Sequence, residues 1–265
     1  MARKIVVTSG KGGVGKTTVC ANLGAHLAMM GFRVVLLDVD IGLNNLDVVV
    51  GIENRIVYDI VDVIEHKCRP KQALVQYHDI PSLYILPSAH SHNVGKVTGE
   101  NIKSVVNALS PTFDFILIDC PAGIELGFHR AVFSASEAVV VTTPHISAIR
   151  DADKVVSILN SYNMHNISLI INRVRGDLVL GGEMIDVGDI ATSLKLQLLG
   201  VVPDDDGISR YASLGGAVSA REAQASQAFC ILASNLANGT NTLFDYTQRY
   251  KGFWGAIKRN IKKRV

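Results

Sequence analysis

Residues 4–18 read Lys4-Ile5-Val6-Val7-Thr8-Ser9-Gly10-Lys11-Gly12-Gly13-Val14-Gly15-Lys16-Thr17-Thr18. An apolar, β-branched run gives way at once to a glycine-rich turn, and a helical pattern begins at Lys16. Gly10, Gly15, Lys16 and Thr17 satisfy G-x-x-x-x-G-K-[ST], the phosphate-binding loop. The chemistry needs these residue types. Glycines let successive backbone N–H groups curl toward phosphate oxygens. The first helical turn leaves more N–H groups unpaired, with the positive end of the helix dipole behind them. Lys16 is expected to reach the β- and γ-phosphates of ATP, Thr17 to set its hydroxyl on Mg²⁺, and Thr18 to donate to the α-phosphate.

Outward from this loop, apolar runs alternate with helical periodicity. Strands are expected at residues 4–8, 33–38, 83–87, 115–119, 138–143, 168–172 and 198–202. Several are continuous Val/Ile/Leu, the composition of parallel strands buried on both faces. Helices are expected at 16–30, 101–109, 147–162, 185–193 and 220–236, with Gly31 closing the first. This alternation implies an α/β fold, a doubly wound, mostly parallel sheet flanked by helices, as in P-loop NTPases. At 265 residues and 48% hydrophobic, the chain has material for one large core. Residues 1–243 are read as a P-loop ATPase domain and 244–265 as a separate C-terminal segment. The four cysteines form no CxxC pair and are expected as reduced thiols. The apolar run after Met1 is too short for a signal peptide, and no apolar stretch reaches the roughly 18 residues of a membrane span, so a cytoplasmic location is expected.

Hydrolysis calls for carboxylates at strand ends. Asp38-Val39-Asp40 closes the second expected strand, where parallel strands meet a nucleotide crevice. One of the two is placed to polarise an attacking water. Phe115-Ile116-Leu117-Ile118-Asp119 is an apolar strand ending in one carboxylate, the Walker B arrangement, and Asp119 is expected to hold Mg²⁺ through water.

Charge is unevenly spread. The chain carries +2 overall, yet residues 244–265 hold seven basic residues against Asp245 alone, a net +6 that leaves −4 on the body. Such asymmetry points to an anionic surface as partner. Phe253, Trp254, Ile257, Ile261 and Val265 recur at spacings of three and four, while Lys258, Arg259, Lys262 and Lys263 take the flanks and opposite side. A basic amphipathic helix with an aromatic anchor lies in a membrane interface rather than across it. Each basic residue near an anionic surface is worth about 1 kcal/mol, and Gly252 and Gly255 each cost the helix about 1 kcal/mol. One tail should therefore bind weakly, peripherally, on the inner face of the cell membrane. Duplex binding depends on Lys/Arg surfaces that an acidic body lacks, so no specific nucleic acid is expected.

A second lysine narrows the class. Lys11-Gly12-Gly13-Val14-Gly15-Lys16-Thr17-Thr18 resembles the deviant Walker A motif of the MinD/ParA family of ATPases. The resemblance covers nearly the whole chain, including residues 38–47, 57–59, 83–87, 119–125 and 147–153. It implies an ATP-dependent homodimer in which Lys11 crosses to the partner's nucleotide. It assigns the water-activating role to Asp40, γ-phosphate sensing to Gly123, and adenine binding to the loops at Asn172-Arg173 and Pro203-Asp204. In the family's division-site members it further implies an inhibitor of division-ring assembly resembling MinC and an activator resembling MinE, or a topological substitute. Two tails on such a dimer hold a membrane far better than one, because the second insertion is intramolecular.

The same loop serves DNA-partitioning and flagellum-placing relatives, and a scaffold that binds ATP without turnover is a further alternative. Bacterial tyrosine kinases with this loop end in a tyrosine cluster, whereas this tail has only Tyr246 and Tyr250. An iron–sulfur reductase of this fold needs cysteines bridging the dimer, a pair that Cys120 alone does not supply.

Overall fold

The computed structural model describes residues 1–42, 45–89, 97–207 and 224–251. Its centre is an eight-stranded sheet in the order β3-β4-β2-β5-β1-β6-β7-β8. The strands are β1 (Arg3–Thr8), β2 (Val34–Asp38), β3 (Val75–Gln76), β4 (Leu83–Leu86), β5 (Phe115–Asp119), β6 (Glu137–Thr142), β7 (Ile167–Val174) and β8 (Gln197–Pro203). All pairings are parallel except the two-residue β3 against β4.

Alternation along the central strands divides the core. Ile5 and Val7 of β1, Val34 and Leu36 of β2, and Phe115 and Leu117 of β5 face one layer. Val6, Val35, Leu37, Ile116 and Ile118 face the other. The first layer is covered by α1 (Lys16–Met29), α2 (Leu46–Val50) and α9 (Gln224–Asn238). The second lies under α3 (Ile60–Ile64), α4 (Gly99–Leu109), α5 (Leu126–Val132), α6 (Ile146–Ser161) and α8 (Val187–Leu194). A short α7 (Gly176–Leu180) follows β7. Both faces of β2 and β5 are buried, which is why they read as unbroken apolar runs.

Helix α1 is buried along most of its length, between the sheet and α9. Gly24 lets it approach the sheet, since a Cβ there would meet the Leu36 side chain. Gly31 adopts φ +97° and ends the helix as expected. The helix expected from residue 185 starts later, because the Asp186 carboxylate accepts the Gly188 N–H at 2.7 Å and caps α8. The last helix is described from Gln224 to Asn238 and so ends two residues beyond the expected 236, while residues 220–223 of the expected span lie outside the described residues. Elements α2, α3, α5, α7 and β3 were not anticipated; each is too short to display a period.

Beyond α9 the chain crosses from one face to the other past the edge strand β8. Asn241 accepts from Gln197 at the start of β8, Phe244 is buried, and Tyr246 packs on the opposite layer. Gly176 makes room for it, as a Cβ there would strike the Tyr246 carbonyl. Asn235 anchors this strap: its amide donates to Leu199 O at 2.8 Å and Thr242 O at 2.7 Å, and its oxygen accepts from Thr240 Oγ1 at 2.7 Å and the Thr242 N–H at 3.1 Å. Phe253, Trp254, Ile257, Lys258, Arg259, Ile261 and Lys262 lie outside the described residues. Among the described residues no helix is long and apolar enough to cross a membrane.

Asn235→Ala removes all four bonds at a side chain only 3% exposed. It should lower the unfolding free energy by about 3 kcal/mol. Urea titration followed by circular dichroism measures this, and a loss under about 1 kcal/mol would contradict the anchoring role.

Candidate active site

The loop between β1 and α1 turns through two left-handed glycines, Gly13 at φ +80° and Gly15 at φ +87°. Gly15 is the residue before α1, and no side chain caps that helix end. Among the described residues the N–H groups of Gly13, Gly15, Lys16 and Thr17 find no acceptor. Open space borders Gly12 and Gly13 on the side where a Cβ would project. A cradle of unpaired N–H groups at a helix N-terminus is an anion site. Gly10 serves a different need: a Cβ there would overlap the Asp151 backbone, so its absence lets α6 lie against the loop.

The central strands set the charges. Register pairs Val7 with Asp119 and Asp38 with Asp119, so both carboxylates stand level with the loop. Lys16 Nζ lies 2.5 Å from Asp119 Oδ1, with side chains 7% and 1% exposed. Burial opposes the lysine's charge, but the Asp119 carboxylate outweighs it and leaves the ammonium harder to deprotonate than usual. Thr17 Oγ1 is 3.3 Å from the same ammonium. One positive group thus already sits between the hydroxyl and carboxylate oxygens expected on Mg²⁺, and hard oxygen donors suit that ion.

Asp38 is 1% exposed. It accepts the N–H groups of Asp40 at 2.9 Å and Leu46 at 3.2 Å, fixing the turn after β2. Burial, reinforced by the charge of Asp119, pushes its carboxyl up to about 8, against those two bonds and Lys16. Asp40 is half-buried at the mouth of the site. Burial raises its carboxyl, Lys16 opposes the rise and Asp119 adds to it. Such a carboxylate is suited to holding a water's proton. Cys120 is buried, and desolvation pushes its thiol up to about 12, so it offers no thiolate.

Gly123, at φ +89°, donates its N–H to Ser9 O at 2.9 Å. Contact with a γ-phosphate would require that bond to open. Lys11 is exposed at the rim, and its Nζ donates to Ser147 Oγ at 3.2 Å. Together with Thr143, His145, Ser147 and Arg173 it lines a cleft of about 170 Å³. A larger groove, about 650 Å³, lies between α3 and α4 and does not include the loop.

The expected adenine residues are only partly drawn together. Arg173 is exposed at φ +57°, and the Asp204 N–H donates to Val174 O at 3.0 Å, so the ends of β7 and β8 are joined. Pro203 is buried and Asp204 exposed. Asp205 accepts from the Ala225 N–H at 3.0 Å and so leads into α9. Asn172 turns to the phosphate loop, donating to Val14 O at 2.8 Å. Neither this contact nor that of Gly10 with Asp151 was legible in the sequence, whose local pattern carries no signal for either.

Known proteins place this arrangement. A family model described as ParA, the NUBPL iron-transfer P-loop NTPase, matches residues 1–237. The septum site-determining protein MinD of Bacillus subtilis is 44% identical over 263 residues, 97% of each chain. That of Synechocystis is 50% identical over 208 residues, 78% of each. Among solved structures, the Aquifex aeolicus MinC:MinD cell division complex superimposes with a TM-score of 0.86 at 41% identity, covering 92% of this chain and 99% of that one. Pyrococcus horikoshii MinD complexed with Mg-ADP gives 0.80 at 33% identity, covering 90% and 97%.

A pH dependence follows from Asp38. Its folded carboxyl keeps a proton up to about pH 8, against 3.8 for an ordinary carboxyl. The stability it contributes is full below pH 3.8 and is lost as pH rises through about 8. Asp38→Asn should remove this loss, so the variant gains on the parent by at least about 1 kcal/mol at high pH relative to low. Urea unfolding of both proteins at pH 5 and pH 8 tests this, and parallel pH profiles would refute it.

Proposed function

Because the chain belongs to the MinD/ParA family of P-loop ATPases and is closely similar to its septum site-determining MinD members, we propose that it is an ATP-driven dimer switch at the membrane. The observation that carries this is the cradle of unpaired N–H groups at α1, with Lys16 between Thr17 and Asp119. Lys16 exchanges the Asp119 carboxylate for the β- and γ-phosphate oxygens of ATP. That exchange frees Asp119 and Thr17 for their metal roles. Thr17 and Asp119 would hold a bound Mg²⁺, which would supply charge neutralisation at the terminal phosphates. Asp40 orients the attacking water from the mouth of the site. Lys11, tethered among the described residues by Ser147, releases that hydroxyl and crosses to the nucleotide of a second copy.

Dimerisation pairs two basic tails, and the pair binds anionic lipid far better than one tail does. The membrane-bound dimer recruits a MinC-like inhibitor of division-ring assembly, a partner suggested by the MinC:MinD complex of the Aquifex relative. A MinE-like or topological regulator stimulates hydrolysis, and the separated subunits leave the membrane.

Lys16→Ala should cut ATP turnover by roughly 100-fold or more, and unchanged turnover would sink the phosphate-loop assignment. Lys11→Ala should still bind ATP but stay monomeric in analytical ultracentrifugation. A chain ending at Tyr250 should bind ATP yet fail to co-sediment with anionic phospholipid vesicles. Co-sedimentation of that truncation would remove the tail from the mechanism.

A further inference from the structure

We infer that His26 is a positioning residue for nucleotide binding: it docks the first turn of α9 on α1 and so sets the base-side loop at residues 203–207. The inference rests on the reading that Pro203-Asp204 meets the adenine.

Thr18, Asn22 and His26 recur every fourth residue along α1, so they share one stripe of the helix. Asn22 is 3% and His26 8% exposed. The Asn22 amide donates to Thr18 O at 2.8 Å. One turn further on, His26 Nδ1 lies 2.9 Å from Asn22 O. A carbonyl only accepts, so Nδ1 carries the proton. In the neutral ring, which burial favours, Nε2 is left as an acceptor. Ser226 Oγ, in the first turn of α9, lies 3.3 Å from it and donates its hydroxyl proton. The ring also lies against Phe229, one turn along α9, with centroids 6.0 Å apart.

The same turn of α9 is gripped from the loop after β8. Asp205 accepts the Ala225 N–H at 3.0 Å on one oxygen and the Gly207 N–H at 2.8 Å on the other. The first N–H groups of a helix have no partner inside it, and a carboxylate there also meets the positive end of the dipole. Ala225 and Ser226 are neighbours, so Asp205 and His26 hold adjacent residues from two sides. The Asp204 N–H, bonded to Val174 O, ties the near end of the base-side loop to β7. Its far end is tied to α9, and goes where α9 goes.

A directional bond is needed for that. Leu23, Leu27, Phe229 and Leu232 fill the same buried layer. Apolar contacts of this kind hold helices together without fixing how far one slides along the other. A hydrogen bond weakens steeply off its preferred distance and angle, and so fixes the register. The Asn22–Thr18 bond does not involve the ring, so the phosphate cradle keeps its own support when His26 is lost.

Calorimetry on Mg-ATP and on Mg-ribose-5-triphosphate, which lacks only the base, separates the two ends of the site. His26→Phe keeps a ring against Phe229 but has no nitrogen. It should weaken Mg-ATP roughly tenfold, the worth of about one hydrogen bond, and leave Mg-ribose-5-triphosphate unchanged. Ser226→Ala, at the half-buried partner, should do the same, and it carries the test if the ring substitution unfolds the chain. The double variant should be no weaker than either single one. Ser226→Thr retains the hydroxyl and should bind as the parent does. In the ligand-free protein the Gly207 amide resonance should move in His26→Phe, because its acceptor Asp205 follows α9. Equal losses for both ligands, no loss for either, or additive losses in the double variant overturn the inference. A parent that binds Mg-ATP no more tightly than Mg-ribose-5-triphosphate overturns the base-side reading itself, and the inference with it.

Discussion

A buried ammonium and a buried carboxylate meet at the centre of the molecule. Lys16 opens α1, Asp119 closes β5, and their 2.5 Å contact ties the first helix to the middle of the sheet. Removing one partner of such a pair leaves an uncompensated charge, at a cost of about 3–5 kcal/mol. The register of β1, β5 and β2 brings the pair together, because parallel strands of matched length end at one level. The loop, the turn after β2 and the turn after β5 then converge on one point. Gly123 bonded to Ser9 and Asp38 bonded to Asp40 and Leu46 are the local ties that hold these turns.

Two nearby carboxylates share this single lysine. Asp119 takes the contact and Asp38, desolvated beside it, keeps its proton to about 8. Asp40 stays at the half-buried mouth, where solvent can reach it. Burial thus sorts three similar side chains into an ion-pair partner, a carboxyl bonded to two backbone N–H groups and a half-exposed carboxyl. The sorting depends on depth below the surface, which chemical identity alone does not reveal.

This explains what could be read from the residues beforehand. The phosphate loop, Lys16, Thr17 and the apolar strand before Asp119 are local patterns, so their spacing along the chain carries their meaning. Strand and helix alternation was equally plain, because each long element repeats a period several times. The short α2, α3, α5 and α7 offered no such repeat, and β3 is two residues long. Contacts between distant positions were also hidden. Asn172 reaches Val14 across 158 positions, and Gly10 serves a helix whose Asp151 lies far along the chain. In both cases a residue with one evident duty has another that only the fold brings into view.

The two margins of the sheet complete the picture. A β-sheet with a bare outer strand invites another chain to add to it through backbone hydrogen bonds. Here β3 offers two residues on one side, too little for a template, and on the other the strap from Asn241 to Tyr246 passes around β8 under the control of Asn235. Both lateral routes of polymerisation are thereby discouraged. The end of the sheet that carries the phosphate loop is not affected by either device, and it is where the proposed dimer would form. The dimer switch proposed above would gain from that restriction, since sheet extension is hard to reverse and an interface built around a consumable ligand is not.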